Sequence, residues 1–324
     1  MKPVPCDAGY FGKLPSHGDY VRSGQARPEV LDVLEWLEAG LARLLGRGAA
    51  QDWSAWSADE RQLFVYSPRA PSLRAPSPRI LGLWAPSSDR VGRRYPFCAW
   101  ESVEAAELEL SAMPSIAARW EQLARQVFAG ERQSESRENA LRQIGAESWT
   151  KEVPKEGPQR FDELESLSVA QLSSEVRGAE DPLRLYELIL DLALALGGSS
   201  TPRFVLEIPT QTTPLALAFW IRLVESWAPA SARPLLVSWK SGASAAKRVS
   251  FVFDELAARY AEALLDPGRD SDAAYRLQLR SDCDSARARR AALLVGRCFE
   301  QAGSLAALFA SLEELRAELL TERW

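Results

Sequence analysis

The chain has 324 residues, of which 46% are hydrophobic and 26% charged, the balance of a soluble globular protein and not of a disordered or membrane-embedded one. Its net charge of -5 gives no global electrostatic reason to bind nucleic acid. Cys6, Cys98, Cys283 and Cys298 stand too far apart for a zinc knuckle or a C-x-x-C redox pair, so reduced thiols, no metal and no cofactor are expected.

Residues 1–7 contain two prolines and no apolar run of the kind a secretory signal needs. The most apolar later stretch, 183–196, is interrupted by Arg184, Glu187 and Asp191 and is too short to span a bilayer. A cytoplasmic protein without membrane insertion is the expectation.

Residues 9–21 hold the densest group of special residues. They begin like a strand and end like a loop, with Gly9, Gly12, Gly18 and Pro15 shaping the backbone between Tyr10, Phe11, Tyr20 and Val21. Ser16, His17 and Asp19 look like the parts of a hydrolase. Neighbouring residues seldom face one another, however, and a Ser/His/Asp relay is recognised by geometry and not by adjacency. A structural or partner-binding loop is therefore preferred to a catalytic one.

A helix is predicted from residue 28, with Pro28 in its first turn, an acid close behind, and Val30, Leu34, Leu37 and Leu41 as its buried face. Leu31 and Leu45 fall near the edge of that face, and Gly46 and Gly48 end the helix. Trp53 and Trp56 fall in a loop, 62–66 reads as a strand, and the Pro/Ser/Arg-rich 68–78 as a surface excursion. Strands at 79–84 and 97–101 flank a second unusual loop, Ser87-Ser88-Asp89-Arg90-Val91-Gly92-Arg93-Arg94-Tyr95-Pro96. In the plain reading, Asp89 accepts loop amides while an arginine pairs with a carboxylate such as Asp19. In the sharper one, Arg90, Arg93 and Arg94 grip a phosphate or an acidic protein face. Neither a G-x-x-x-x-G-K-[ST] nor a G-x-G-x-x-G pattern occurs, so a nucleotide cradle lacks its signature.

Further helices are predicted at 113–128, with Ile116, Trp120, Leu123 and Val127 on one stripe, and at 135–149. A linker follows at 151–158, then a short helix within 160–172 and a stronger one at 182–196. Beyond these come strand 204–208, helix 214–227, strands 234–239 and 249–253, and helix 254–265. About six strands, with helices enough to cover a sheet on two sides, predict an α/β sandwich whose single sheet is fed by both halves. In the tail, 286–299 is helical, and Leu305, Leu308, Leu312, Leu315 and Leu319 repeat at alternating spacings of four and three. A helical hairpin is preferred over a homodimer formed through these C-terminal helices.

Gly12-Lys13-Leu14-Pro15-Ser16-His17-Gly18-Asp19-Tyr20-Val21, the helix carrying Trp36-Leu37, and Ser88-Asp89-Arg90-Val91-Gly92-Arg93-Arg94-Tyr95-Pro96 resemble, in that order, the TagF (ImpM) family of type VI secretion accessory proteins. The resemblance covers residues 8 to about 130, with a weaker likeness around Leu235 to Phe253. It implies a three-layer α/β/α sandwich with a mixed sheet over 1–268, divided into a motif-bearing half 1–150 and a second half 160–268. Residues 269–324 would add a C-terminal helical extension. It also implies a non-enzymatic negative regulator of type VI secretion assembly that acts after translation by binding a forkhead-associated-domain scaffold protein. The expected partner surface is Lys13, His17, Asp19, Asp89, Arg90, Arg93 and Tyr95. The alternative is a hydrolase or phosphate-binding enzyme built on Ser16, His17 and Asp19 with the Arg90/Arg93 loop. Thr210, Thr212 and Thr213, before Pro214, are read as a helix cap, with a phosphothreonine for a forkhead-associated domain as the rival reading.

Overall fold

The computed structural model describes residues 8–24, 26–46, 61–69, 78–103, 120, 122–128, 134–146, 188–189, 191–193, 195–196, 202–209, 214–229, 233–241, 248–253, 255–265, 273–277 and 286–321. Trp53, Trp56, Ile116, the 151–158 linker, the helix within 160–172 and the three threonines before Pro214 lie outside them.

The architecture is mixed α/β, around one nine-stranded sheet in the order β2-β1-β5-β4-β3-β7-β8-β6-β9. The strands are β1 (Ala8–Gly12), β2 (Val21–Ser23), β3 (Arg61–Tyr66), β4 (Arg79–Ala85), β5 (Phe97–Val103), β6 (Val205–Pro209), β7 (Leu236–Ser241), β8 (Arg248–Val252) and β9 (Ala274–Arg276). β6 and β9 run parallel, and the other paired neighbours run antiparallel. Both edge strands, β2 and β9, are only three residues long.

Alternate residues of the same strand enter different apolar clusters, as the period of two requires. Leu63 and Val65 join one cluster, Phe64 and Tyr66 the other. The same division separates Phe97 and Ala99 from Cys98 and Trp100. Buried on both faces, these strands read in the sequence as apolar runs and not as an alternation.

One cluster takes in α1 (Pro28–Gly46) and α4 (Ala258–Leu265). These two helices touch where Gly40 faces Ala261, a spot with no room for a side chain. The Trp36 indole donates to the Ala257 carbonyl at 2.9 Å, and Arg43 pairs with Glu262 at 3.0 Å. The stripe of α1 that this contact buries is Val30, Val33, Leu37, Leu41 and Leu44, with Trp36 beside it. Of the predicted face, Val30, Leu37 and Leu41 are buried and Leu34 is half-buried, while Leu31 and Leu45 are exposed.

The other cluster takes in the helical segment 122–127, α2 (Ser134–Ala146), helical residues of 188–196, α3 (Pro214–Trp227), α5 (Ala286–Gln301) and α6 (Leu305–Thr321). Leu308, Leu312 and Leu315 turn inwards, and Phe309 packs on Phe219 with ring centroids 5.5 Å apart. Arg316 donates to the Ser226 carbonyl at 3.2 Å.

The sequence halves meet at the centre of the sheet, where β3 pairs with β7 from Arg61↔Ser241 to Tyr66↔Leu236. A buried amide reinforces the seam: Gln62 donates to the Leu264 carbonyl at 3.0 Å and accepts from Ser238 at 2.7 Å. The Gln62 amide is thus bonded through both its nitrogen and its oxygen, which offsets the cost of burying it.

Candidate functional site

β1 ends at Gly12, whose φ of +144° and position against the Pro96 carbonyl and Phe97 backbone exclude any side chain. That close approach lays the loop after β1 on the loop before β5. The first loop tightens through a turn in which the His17 amide donates to the Leu14 carbonyl at 2.9 Å, while Leu14 is sunk in the core. β2 then pairs back on β1.

The second loop joins β4 to β5 and is organised by one carboxylate. Asp89 Oδ1 accepts the Val91 amide at 3.1 Å and the Arg93 amide at 2.8 Å, the side-chain-to-backbone bonding that short acids favour in turns. Backbone bonds between Asp89 and Arg93 and from Gly92 to Asp89 close the turn, with Gly92 at a φ of +85°. Ser88 and Arg94 form an isolated bridge below it.

Three contacts lock the loops to each other. Lys13 Nζ lies 3.1 Å from Asp89 Oδ2, the Arg90 amide donates to the His17 carbonyl at 2.7 Å, and Arg93 Nη2 donates to the Gly18 carbonyl at 2.7 Å. Arg93 Nε also donates to Asp89 Oδ2 at 2.6 Å. Burial alone would raise the pKa of Asp89. The hydrogen bonds from the Arg93 amide, Lys13 and the Arg93 guanidinium outweigh it and hold the carboxyl at about 2. Phe11, Tyr20 and Tyr95 stack around the junction with centroids 5.1–5.6 Å apart, and Lys13 Nζ sits 4.9 Å from the Tyr20 ring centre.

The seven residues singled out in the sequence thus come together but divide in two. Lys13 (5% exposed), Asp89 (2%) and Tyr95 are interior. Asp19, Arg90 and Arg93 are exposed and His17 is half-buried. Sequence reasoning missed two outer residues, Tyr20 (44% exposed) and Val91 (69%). Both sit inside the quoted motifs, and an apolar residue at the tip of a charged hairpin was the available signal. One expectation is corrected: Arg93 pairs with Asp89 four residues away, not with Asp19, whose Oδ1 instead accepts the Tyr20 amide at 2.8 Å. The competing partner is already buried in the same hairpin, where a charge-assisted bond is stronger than at the surface.

Ser16 Oγ and His17 Nδ1 lie 2.9 Å apart. Among the described residues, no group of three or more His, Cys, Asp or Glu is placed to hold a metal ion, and no helix is long and apolar enough to cross a membrane. Cys98 and Cys298 are not joined in a disulfide among the described residues.

Residues 9–145 match the TagF N-terminal domain, type VI secretion system-associated. This part of the chain is a TagF N-terminal domain. The match runs from within β1 into α2 and so contains both loops whole. Among solved structures, the crystal structure of PA0076 from Pseudomonas aeruginosa PAO1 is similar at 25% identity and a TM-score of 0.35. That likeness covers 44% of this chain and 64% of PA0076, a little under two thirds of its length. No curated protein matches the sequence. Within the TagF domain, the loop junction brings charged, aromatic and glycine residues together.

Proposed function

We propose that this protein is a non-enzymatic, cytoplasmic negative regulator of type VI secretion that acts after translation by docking on a forkhead-associated-domain scaffold protein. The docking surface is the outer rim of the loop junction: His17, Asp19, Tyr20, Arg90, Val91 and Arg93. The observation that carries this reading is the Lys13–Asp89 pair, which fixes two loops from below while aromatic and arginine side chains stay open to solvent above. Such a preorganised arrangement limits the entropy lost on association, and arginine and aromatic side chains are the groups that carry most affinity at protein interfaces. The TagF domain match supports the setting. Lys13, Asp89 and Tyr95 then act by holding the rim and not by touching the partner.

The division of the core into two clusters supports a three-layer α/β/α sandwich over 1–268. Residues 269–324 contribute a C-terminal helical hairpin that serves the monomer and not a dimer.

Affinity capture of type VI components from the native host tests the docking surface. Arg90→Ala and Val91→Asp lose the scaffold protein at an unchanged melting temperature. Stable forms of both variants that still capture it reject the surface. The rival, a hydrolase, rests on the Ser16–His17 distance. Turnover of generic ester or phosphoester substrates that disappears in His17→Ala would establish it in place of the docking reading.

A further inference from the structure

A second concave site lies away from the two loops. Between α1, the end of β3 and the residues leading into α4 there is a cleft of about 530 Å³, within the size range of ligand pockets. Asp32 and Glu35 enter it from α1, three residues apart and so on one face of the helix, and Glu255 enters from the segment before α4. Trp36 and Tyr66 give it aromatic walls, and Leu256 adds apolar surface. These walls are fixed in place: the Trp36 indole is bonded to the Ala257 carbonyl, and the Tyr66 hydroxyl is bonded to Asp32.

Among the described lining residues, three carboxylates face one cation, Arg69, which itself donates to the Phe253 carbonyl at 3.0 Å. The Tyr66 phenol lies beside Asp32 and is hydrogen-bonded to it. Burial first, then the negative charge of Asp32, its hydrogen bond to Asp32, and the charge of Glu29 push its pKa up to about 12.

We propose that this cleft receives an arginine side chain projecting from a partner protein. A guanidinium is planar, stacks on aromatic groups and engages carboxylates through paired N–H donors, and its carbon stem covers apolar surface. The cleft offers carboxylates and apolar surface beside the small exposed parts of the Trp36 and Tyr66 rings, with an excess of negative charge among its described lining residues. The site is independent of the loop junction, so its failure leaves the docking surface untouched.

The Trp36 indole N–H resonance is a reporter inside the cleft. Full-length protein is titrated with acetyl-Gly-Arg-Gly-amide, with the Gln and Lys analogues as controls. Expected is a saturable shift of that resonance with the arginine peptide, weaker with lysine and absent with glutamine. Neutralising the exposed rim in Glu35→Gln with Glu255→Gln weakens arginine binding about tenfold while the melting temperature holds. A shift that never saturates, that is equal for the three peptides, or that survives the double substitution overturns the proposal.

Discussion

Lys13 Nζ and Asp89 Oδ2 meet at 3.1 Å, with both side chains almost wholly removed from solvent, at the contact between two loops remote in sequence. Removing one partner of such a pair leaves the other charge buried without its complement, which is costly even where the intact pair adds little net stability. Lys13→Met is therefore expected to lower the melting temperature by on the order of 5–10 °C, seen by circular dichroism or calorimetry. An unchanged melting temperature would remove the pair from its role as the lock beneath the rim.

The same carboxylate sets an acid dependence. Its pKa lies at about 2 in the folded protein, below the ordinary value of 3.8, so in acid the unfolded chain binds the proton first. Stability then rises with pH across that window. The contribution is complete above about pH 4 and is lost as pH falls from there through about 2. Urea unfolding at stepped pH should show the gap between the native protein and Asp89→Asn constant from pH 5 to 7 and closing in acid. A gap that widens on acidification contradicts the assignment.

Two glycines with positive φ should behave differently. At Gly92 a methyl group meets open space, so Gly92→Ala incurs only the backbone preference, about 1 kcal/mol. At Gly12 it collides with the backbone of Pro96 and Phe97, and the loops must part. Gly12→Ala is expected to exceed about 3 kcal/mol in chemical denaturation. Equal costs would mean that the approach of β1 to β5 is not obligatory.

Leu312 is fully buried in α6, in the cluster that reaches the sheet. Leu312→Ala should cost about 2–5 kcal/mol and shift the single unfolding transition of the whole protein. A separate early transition would show the C-terminal helices to be an independently melting appendage.

The sequence was most readable where the signal is local and long. The helix Pro214–Trp227 was bounded correctly because Pro214 opens it and apolar residues at helical spacing run to Trp227. β2 and β9 were not recognised as strands, because three residues hold barely more than one period of alternation and their pairing comes from partners elsewhere in the chain. Of the predicted α1 face, Val30, Leu37 and Leu41 are buried and Leu34 is half-buried, while the close Gly40–Ala261 approach is not encoded by any pattern within the helix. At the loop junction the residue types were legible but their depth was not. Lys13 follows Gly12 and stands two residues before Pro15, the setting of a surface loop residue, and the distant Asp89 explains its burial.

The brevity of β2 and β9 has a consequence for how this molecule meets others. Among the described residues both borders of the sheet are three-residue strands, which offer few unpaired amides and carbonyls to an incoming ribbon. Under the proposed docking reading, recognition then rests on side chains, and a single substitution on the rim is expected to change partner choice while leaving the backbone framework intact.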